Sequence, residues 1–221
     1  MVREISPFFM VTWYNVKKNI MMFEINKNLN ARVNRVCNSL IIEIENFYEN
    51  PDEVREYAIT SKKYTKNDNN DLLAYAIGRR VCEDDFRLEI QMKEVFYQLC
   101  NHPEWNIKFD EEHHNYRWSG MRFMVNVTNN KEILNDGRNI ICHVDGPTTK
   151  WACVVYLNIL EECEGGTGFY SLNDDENLKV EYISKMKYNK AVLYDSNIIH
   201  GAILNKTMFK TCDRLVQVMF M

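Results

Sequence analysis

The 221-residue sequence has few of the residues that build linkers and fibrous chains. Four prolines and eight glycines are too few for a collagen-like chain or a long flexible linker. Internal repeats and low-complexity segments are also missing, so we expect one domain spanning residues 1–221. No run is apolar for the length of a bilayer crossing, and the apolar run Pro7–Tyr14 is followed by Lys17 and Lys18 without a small-residue cleavage site. These absences predict a cytoplasmic protein.

The sequence also lacks an excess of positive charge and any C-x-x-C pair. Lys and Arg total 27 and Asp and Glu total 31, which gives a formal net charge of -4. This balance argues against a nucleic-acid partner, because nucleic-acid-binding domains normally carry a net basic surface. The seven cysteines are spread through apolar stretches and predict buried, reduced thiols of an intracellular protein rather than a disulfide framework.

Residues 1–115 are expected to form a mixed α/β lead-in with supporting helices. In Leu40–Phe47, apolar residues alternate with acidic ones toward the end, which is typical of a half-buried strand. Asn50 is a candidate N-cap before Pro51, and acidic residues follow in the first turn, so a helix is expected to begin there. A second helix is expected from about Asp84 to Cys100, because its apolar residues fall mostly on one face.

From residue 116 onward, the sequence consists of short β-type segments separated by turn signals such as Asp136-Gly137 and Gly165-Gly166. The eight expected strands are Arg117–Val127, Asn139–His143, Trp151–Ile159, Thr167–Ser171, Lys179–Ile183, Ala191–Tyr194, Ile199–Leu204 and Arg214–Phe220. Eight strands after a helical lead-in predict an α+β, mainly β protein whose core, residues 116–221, is a jelly-roll or cupin-like barrel.

The most informative motif is Cys142-His143-Val144-Asp145. Alternate residues of a strand point the same way, so His143 and Asp145 are expected to project into one space. His200, near the start of another predicted strand, is the candidate third ligand. Two imidazoles and one carboxylate on one face of a metal leave coordination positions open and are typical of non-haem Fe(II) oxygenases.

An iron site of this kind usually needs a co-substrate that supplies electrons for O2, and an acidic co-substrate needs a fixed cation. Arg214 begins the last predicted strand. Its guanidinium can bind a carboxylate through two hydrogen bonds and cannot lose its charge. The alternative is a surface ion pair with Asp213 or Glu181, but Arg214 opens an otherwise apolar strand, where a buried charge needs an acidic partner.

Together these residues form an H-x-D…H…R pattern, His143, Asp145, His200 and Arg214. With that pattern, the segment from about Trp118 onward resembles the double-stranded β-helix of the iron(II)/2-oxoglutarate-dependent dioxygenases. The resemblance implies that the two histidines and the aspartate are catalytic residues that bind Fe(II). It also implies that Arg214 binds 2-oxoglutarate.

Further matches point to the prolyl-hydroxylase-like members of this superfamily. Val155-Tyr156-Leu157-Asn158 is similar to their Tyr-Leu-Asn motif, which implies that the Tyr156 hydroxyl binds the tail carboxylate of 2-oxoglutarate. Gly165–Phe169 resembles the Gly-Gly-x-x-Phe turn that follows, and Asn46–Arg55 resembles a small, poorly characterised branch. The implied reaction is hydroxylation of a C–H bond with consumption of O2 and release of succinate and CO2.

The sequence departs from this pattern in ways that narrow the activity. Collagen-type prolyl hydroxylases have Lys in place of Arg214, and many members have Ser or Thr in place of Val216. Asp145 is a carboxylate, whereas the halogenases have a small residue there, so hydroxylation is favoured. The substrate stays open between an amino acid, a peptide or protein side chain and a small metabolite. The polar segments Lys62–Asp71, Asn101–Asn115 and Asn129–Arg138 are candidate substrate loops.

Several other residues could bind a metal but are not expected to do so. His102, His113 and His114 lie in polar connections or at a helix end, and Cys142 and Cys153 have neighbours typical of a core.

A non-catalytic, cupin-like module that binds a metal or a small acid is the alternative from another functional class. A metal-dependent isomerase or dioxygenase that uses no 2-oxoglutarate is a third hypothesis.

Overall fold

A computed structural model describes residues 23–60, 65–66, 79–84, 86–103, 122–128, 142–145, 150–159, 162, 164–203 and 213–220. Helix α1 spans Pro51–Thr60 and helix α2 spans Phe86–Asn101. The strands are β1 (Asn30–Val36), β2 (Ser39–Glu45), β3 (Thr65–Lys66), β4 (Arg79–Asp84), β5 (Arg122–Thr128), β6 (Trp151–Tyr156), β7 (Gly166–Leu172), β8 (Leu178–Lys185), β9 (Ala191–Asp195), β10 (Ile199–Ile203) and β11 (Arg214–Phe220). The described part of the chain is therefore mostly β with few helices, as the sequence predicts.

The strands form two antiparallel sheets. The larger sheet has the order β1-β2-β9-β6-β11-β5-β4-β3, and the smaller has the order β10-β7-β8. From β5 onward the chain passes back and forth between them, since β6, β9 and β11 join the larger sheet and β7, β8 and β10 join the smaller. His143 also pairs with His200 of β10. The four strands that precede β5 extend both edges of the larger sheet.

Two layers of apolar side chains cover the two faces of the larger sheet. Ile41, Val154 and Val216 face the smaller sheet and belong to one buried cluster. Their chain neighbours Ile42 and Val155 face the opposite way and pack in a second cluster that contains helix residues. A strand buried on both faces needs apolar residues at every position, and burial of each Val or Ile stabilises the fold by about 1.5–3 kcal/mol.

The helices cover the outer face of the larger sheet, close to where the sequence predicts them. In α1, Val54 and Ala58 are buried four residues apart, while Asp52 and Glu53 occupy the first turn, where the helix dipole favours negative charge. In α2 the buried side chains repeat every three or four residues, which places them on one face. They are Leu88, Met92, Val95 and Leu99. No helix in the described ranges is long and apolar enough to cross a membrane.

Three strands were not predicted. Strand β1 pairs with β2 through a two-residue turn in which Cys37 and Asn38 both have positive φ, the geometry of a type I′ hairpin. Strand β1 lies at the edge of the sheet and buries little of its surface, so its sequence is polar and lacks the apolar alternation that predicts a strand. Strand β3 lies inside the segment predicted as the loop Lys62–Asp71, and β4 precedes the second helix. Both depend on pairing with distant residues.

The predicted strands of the core differ from the observed ones mainly at their ends. The described part of the first is Arg122–Thr128, and residues 117–121 lie outside the described residues. Of the expected strand Asn139–His143, the described part is Cys142 and His143, and His143 forms an isolated bridge. Strand β6 ends at Tyr156 rather than Ile159. Strand β11 has the predicted bounds.

Candidate metal centre

The backbone holds His143 and His200 directly opposite each other. The N–H of His143 donates to the carbonyl of His200 at 2.9 Å, and the N–H of His200 donates back at 2.9 Å. Residues paired in this way project from the same face of an antiparallel pair. The two imidazole centroids consequently lie 4.5 Å apart.

Asp145 lies two residues after His143 and turns its carboxylate toward both imidazoles. Its backbone N–H donates to the carbonyl of Ser196 at 3.0 Å, which anchors this segment to the turn before β10. Asp145 Oδ1 is 3.7 Å from Nε2 of His143, and Oδ2 is 3.7 Å from Nε2 of His200. One possible ligand atom from each residue lies within 4.8 Å of the other two, which is compact enough for a single ion.

One oxygen of this carboxylate is buried without a hydrogen-bond partner. Asp145 Oδ2 accepts no hydrogen bond in the described part of the molecule, although the side chain is only 9% exposed. A buried, unpaired carboxylate oxygen is costly, and most such atoms in folded proteins are satisfied. A cation beside Oδ2 would remove this cost, so the three residues fit a divalent metal ion in both donor type and arrangement.

The hydrogen bonding of His200 leaves its Nε2 available as a ligand atom. Nδ1 of His200 lies 3.0 Å from the carbonyl of Ile198. A carbonyl can only accept, so Nδ1 carries the proton and the Nε2 lone pair points toward Asp145. A hydrogen bond from the other ring nitrogen to a backbone carbonyl fixes the tautomer and ring orientation of a metal-bound histidine.

Burial shifts the pKa of two residues of the site, Asp145 and His200. It raises the pKa of Asp145 to about 6, with the charge of His143 acting in the opposite direction. Burial lowers the pKa of His200 to about 4, although its hydrogen bond with Ile198 opposes the shift. At neutral pH the aspartate is thus ionised and His200 is neutral, which are the states that metal ligation requires.

Aromatic side chains form the inner wall beside His200. The Tyr194 ring centroid lies 4.6 Å from that of His200 and 5.2 Å from that of Phe169. Phe169 of β7 is also the register partner of His200 in β10. The three candidate ligands therefore line the interior between the two sheets, with apolar rings next to them.

The structure places Tyr156 and Arg214 in the same interior space. Tyr156 is paired with Val216 of β11, and Arg214 lies two positions before Val216, on the same strand face. Both Tyr156 and Arg214 are buried. Burial raises the pKa of the Tyr156 hydroxyl to about 12, although the positive charge of Arg214 acts to lower it. The hydroxyl is accordingly neutral near pH 7 and able to donate.

The Tyr156 hydroxyl is held by two groups of the smaller sheet. It lies 2.8 Å from Oγ1 of Thr167, and it donates to the carbonyl of Ser184 at 3.3 Å. Thr167 lies two residues before Phe169 on the same face of β7, roughly 7 Å along the strand. Because Phe169 is the register partner of His200, the residue that contacts the Tyr156 hydroxyl lies two positions along β7 from the partner of a candidate metal ligand.

Asn158 fixes the backbone on both sides of Arg214. Its amide nitrogen donates to the carbonyl of Asp213 at 2.9 Å, and its amide oxygen accepts from the N–H of Leu215 at 2.7 Å. Asn158 is itself 1% exposed. The last residue of the Tyr-Leu-Asn motif thus orients the strand from which the guanidinium projects.

Other candidate ligands lie away from this centre or outside the described residues. Cys153 is fully buried in the cluster that faces the helices, and burial raises the pKa of its thiol. Burial also raises the pKa of Cys142. His102 follows helix α2 and does not join the His-Asp-His group. His113 and His114 lie outside the described residues.

Sequence reasoning missed four buried polar residues that lie between the two sheets, Glu43, Thr167, Ser184 and Lys190. Two of them carried a usable signal. Glu43 interrupts the apolar run Leu40–Ile44, and Lys190 directly precedes the apolar strand β9. A charge inside a run that is apolar on both sides predicts a buried ion pair, but the partner cannot be named from the sequence.

No family model and no curated protein matches the chain. Among solved structures, it is similar to the crystal structure of the non-heme alpha ketoglutarate dependent epimerase SnoN from nogalamycin biosynthesis. The match has a TM-score of 0.44 and 11% sequence identity, and it covers 82% of this chain and 77% of that chain. A similarity this distant transfers no activity to this chain.

Proposed function

We propose that this protein is an Fe(II)/2-oxoglutarate-dependent dioxygenase that hydroxylates a C–H bond, with release of succinate and CO2. One observation carries the proposal. His143, Asp145 and His200 lie close together, the buried Oδ2 of Asp145 has no hydrogen-bond partner among the described residues, and Tyr156 and Arg214 lie on the same strand face of the interior. The first three side chains are of the types that bind a metal ion, and the last two are of the types that bind a carboxylate.

The strand order supports a double-stranded β-helix as the core of this enzyme. Consecutive strands that alternate between two facing antiparallel sheets are the arrangement of jelly-roll proteins. Strands β5, β6, β9 and β11 belong to the larger sheet and β7, β8 and β10 to the smaller one. The bridge between His143 and His200 places a further segment beside the smaller sheet between β5 and β6, so the described chain changes sheet at each step except within the hairpin β7–β8. The metal ligands would then sit between the sheets.

The side chains have separate tasks in the proposed reaction. His143, Asp145 and His200 would hold the ferrous ion, which supplies O2 activation when bound. Arg214 would bind the distal carboxylate of 2-oxoglutarate through charge-assisted hydrogen bonds. The Tyr156 hydroxyl would turn its single proton from the Ser184 carbonyl to the same carboxylate. Asn158 would keep Arg214 in place. The rings of Tyr194 and Phe169 and the apolar side chains around them would keep water from the reacting groups.

The substrate class proposed is an amino acid, a peptide or protein side chain, or a small metabolite. The acidic net charge of -4 argues against nucleic acid as substrate. We propose that the segments 62–71, 101–115 and 129–138 contact the substrate. These lie mostly outside the described residues.

The proposal is tested by adding Fe(II) and 2-oxoglutarate to the protein without air. We expect a weak visible charge-transfer band that disappears when air enters, together with formation of succinate. A protein that binds Fe(II) but gives neither the band nor succinate would instead be a metal-binding sensor module. Metal-dependent turnover of a substrate without 2-oxoglutarate would point to an isomerase or another dioxygenase.

A further inference from the structure

A buried ion pair lies inside the barrel and has no place in the reaction described so far. Nζ of Lys190 is 3.0 Å from Oε1 of Glu43, and the two side chains are only 6% and 11% exposed. Glu43 lies in the middle of β2, and Lys190 directly precedes β9, the strand with which β2 pairs. The pair therefore faces the space between the two sheets.

Hydrogen bonds satisfy both charges. Ser184 Oγ donates to Oε1 of Glu43 at 2.6 Å, and Lys190 Nζ donates to Ser184 Oγ at 3.0 Å. The Tyr182 hydroxyl donates to Oε2 of Glu43 at 3.0 Å. Burial raises the pKa of Glu43, but the hydrogen bonds from Ser184 and Lys190 outweigh it, so the pKa lies below its ordinary value. Glu43 thus stays ionised at neutral pH.

Stability alone gives little reason for such a pair in an apolar core. Removing two charges from water offsets most of their attraction, and well-packed apolar residues of similar volume often do as well. Residues around it, including Ile41 and Val192, form an apolar cluster that could accommodate such a replacement. A role toward a ligand would account for the charges.

The network contacts Tyr156 at both its ring and its hydroxyl. Nζ of Lys190 lies 5.7 Å from the Tyr156 ring centroid, within the range of a cation–π interaction. Ser184, which bonds both charged groups, also accepts from the Tyr156 hydroxyl through its carbonyl at 3.3 Å. The charge of Glu43 acts on the same hydroxyl.

We propose that the Glu43–Lys190 pair sets the affinity of the carboxylate site formed by Tyr156 and Arg214. Lys190 places a positive charge beside Tyr156, and Glu43 cancels it, so the pair adds no net charge to the site. This inference rests on the proposed function. Both 2-oxoglutarate and succinate are dicarboxylates, so a further uncompensated cation would tighten co-product binding as well and slow its release.

The two halves of the pair should have opposite effects on anion binding when they are removed separately. Lys190→Met leaves the negative charge of Glu43 beside the site, and Glu43→Gln leaves the positive charge of Lys190. A unit charge that is added or removed near a buried site changes the affinity for an anion strongly, because the effective dielectric constant there is low. Both substitutions break a buried pair, so both lower the melting temperature.

The experiment titrates 2-oxoglutarate into Mn(II)-loaded protein by calorimetry at pH 8. We expect affinity to fall at least tenfold in Lys190→Met and to rise at least threefold in Glu43→Gln, with Mn(II) affinity unchanged within twofold. Lys187→Met is the matched control, because Lys187 pairs with Glu45 of the same strand but is exposed. Its 2-oxoglutarate affinity should equal that of the wild type.

Opposite shifts support the proposal. Shifts in the same direction, or equal affinities in all the proteins, overturn it and leave the pair with a structural role. If Lys190→Met does not fold, Glu43→Gln decides alone, since tighter binding supports the proposal and equal or weaker binding overturns it. A wild-type protein that binds Mn(II) but not 2-oxoglutarate refutes the proposed function itself, and the inference with it.

Discussion

Oδ2 of Asp145 lies 3.7 Å from Nε2 of His200, and in the described part of the molecule it accepts no hydrogen bond. His200 directs its other ring nitrogen to the Ile198 carbonyl, so a lone pair and a carboxylate oxygen face each other with no proton between them. Two electron-rich atoms in this arrangement repel unless a cation lies between them. This relationship separates the cluster from an ordinary His-Asp hydrogen bond.

Asp145→Asn should therefore raise the stability of the metal-free protein and abolish the further stabilisation by metal. Without metal, we expect the variant to be more stable than the wild type by about 1 kcal/mol, because an unpaired buried charge is removed. With Fe(II) or Mn(II), the wild type should gain melting temperature and the variant should not. Asp174→Asn, in an exposed turn, makes the same charge change and should leave both measurements unaltered. Loss of stability in metal-free Asp145→Asn would contradict the unpaired state of Oδ2.

Metal affinity should fall as the pH falls through about 6. The folded-state pKa of Asp145 is raised to about 6, and a metal binds only the ionised carboxylate. The affinity is therefore fully present above that pH, and protons compete with the metal below it. Mn(II) titrations between pH 7.5 and 5 measure this loss, and a constant affinity across that range would argue that Asp145 is not a ligand.

Arg214→Met should weaken 2-oxoglutarate binding by about 2 kcal/mol or more, roughly thirtyfold, because a buried charge-assisted contact is lost. Tyr156→Phe removes one neutral donor and should weaken it by about 1 kcal/mol. Mn(II) affinity should not change in either variant. Arg35→Met, on an exposed position of β1, is the control. Unchanged 2-oxoglutarate affinity in Arg214→Met would remove Arg214 from the carboxylate site.

Asn158→Leu should reproduce part of the Arg214 effect without touching the ligand. Its amide bonds the backbone on both sides of Arg214, and losing those contacts should let the guanidinium shift. We expect 2-oxoglutarate affinity to fall by at least fivefold and the free energy of unfolding by about 1–3 kcal/mol. In an Arg214→Met background, Asn158→Leu should cause no further loss of affinity. An additive loss would show that Asn158 acts independently of Arg214.

Gly166→Ala should destabilise the smaller sheet more than Gly168→Ala does. Gly166 has φ of 152°, and an added Cβ would lie 2.0 Å from the backbone carbonyl oxygen of Ser184. At Gly168 the same atom would meet the end of the Tyr170 side chain, which can move. We expect the free energy of unfolding, measured by chemical denaturation, to fall by about 3 kcal/mol or more in Gly166→Ala and by about 1 kcal/mol in Gly168→Ala. Equal losses would contradict this difference.

The sequence predicted the elements whose signals are local. Val54 and Ala58 share a helix face because of their spacing, and β11 is mostly apolar because both of its faces are buried. Strand β1 could not be predicted, because its polar residues gain their place only by pairing with β2. The same holds for β3, which is two residues long and exists only against β4.

For the site, the sequence by itself determined that His143 and Asp145 project the same way, since alternate residues of an extended chain do so wherever it folds. It also supplied the residue types that a metal and a carboxylate require. Only the tertiary structure decided that Asp145 Oδ2 has no hydrogen-bond partner within the described ranges, that Ile198 fixes the tautomer of His200, and that Lys190 neutralises Glu43 beside Tyr156. Those outcomes depend on contacts between residues far apart in the chain, and burial gives them their energy by removing water as the alternative partner.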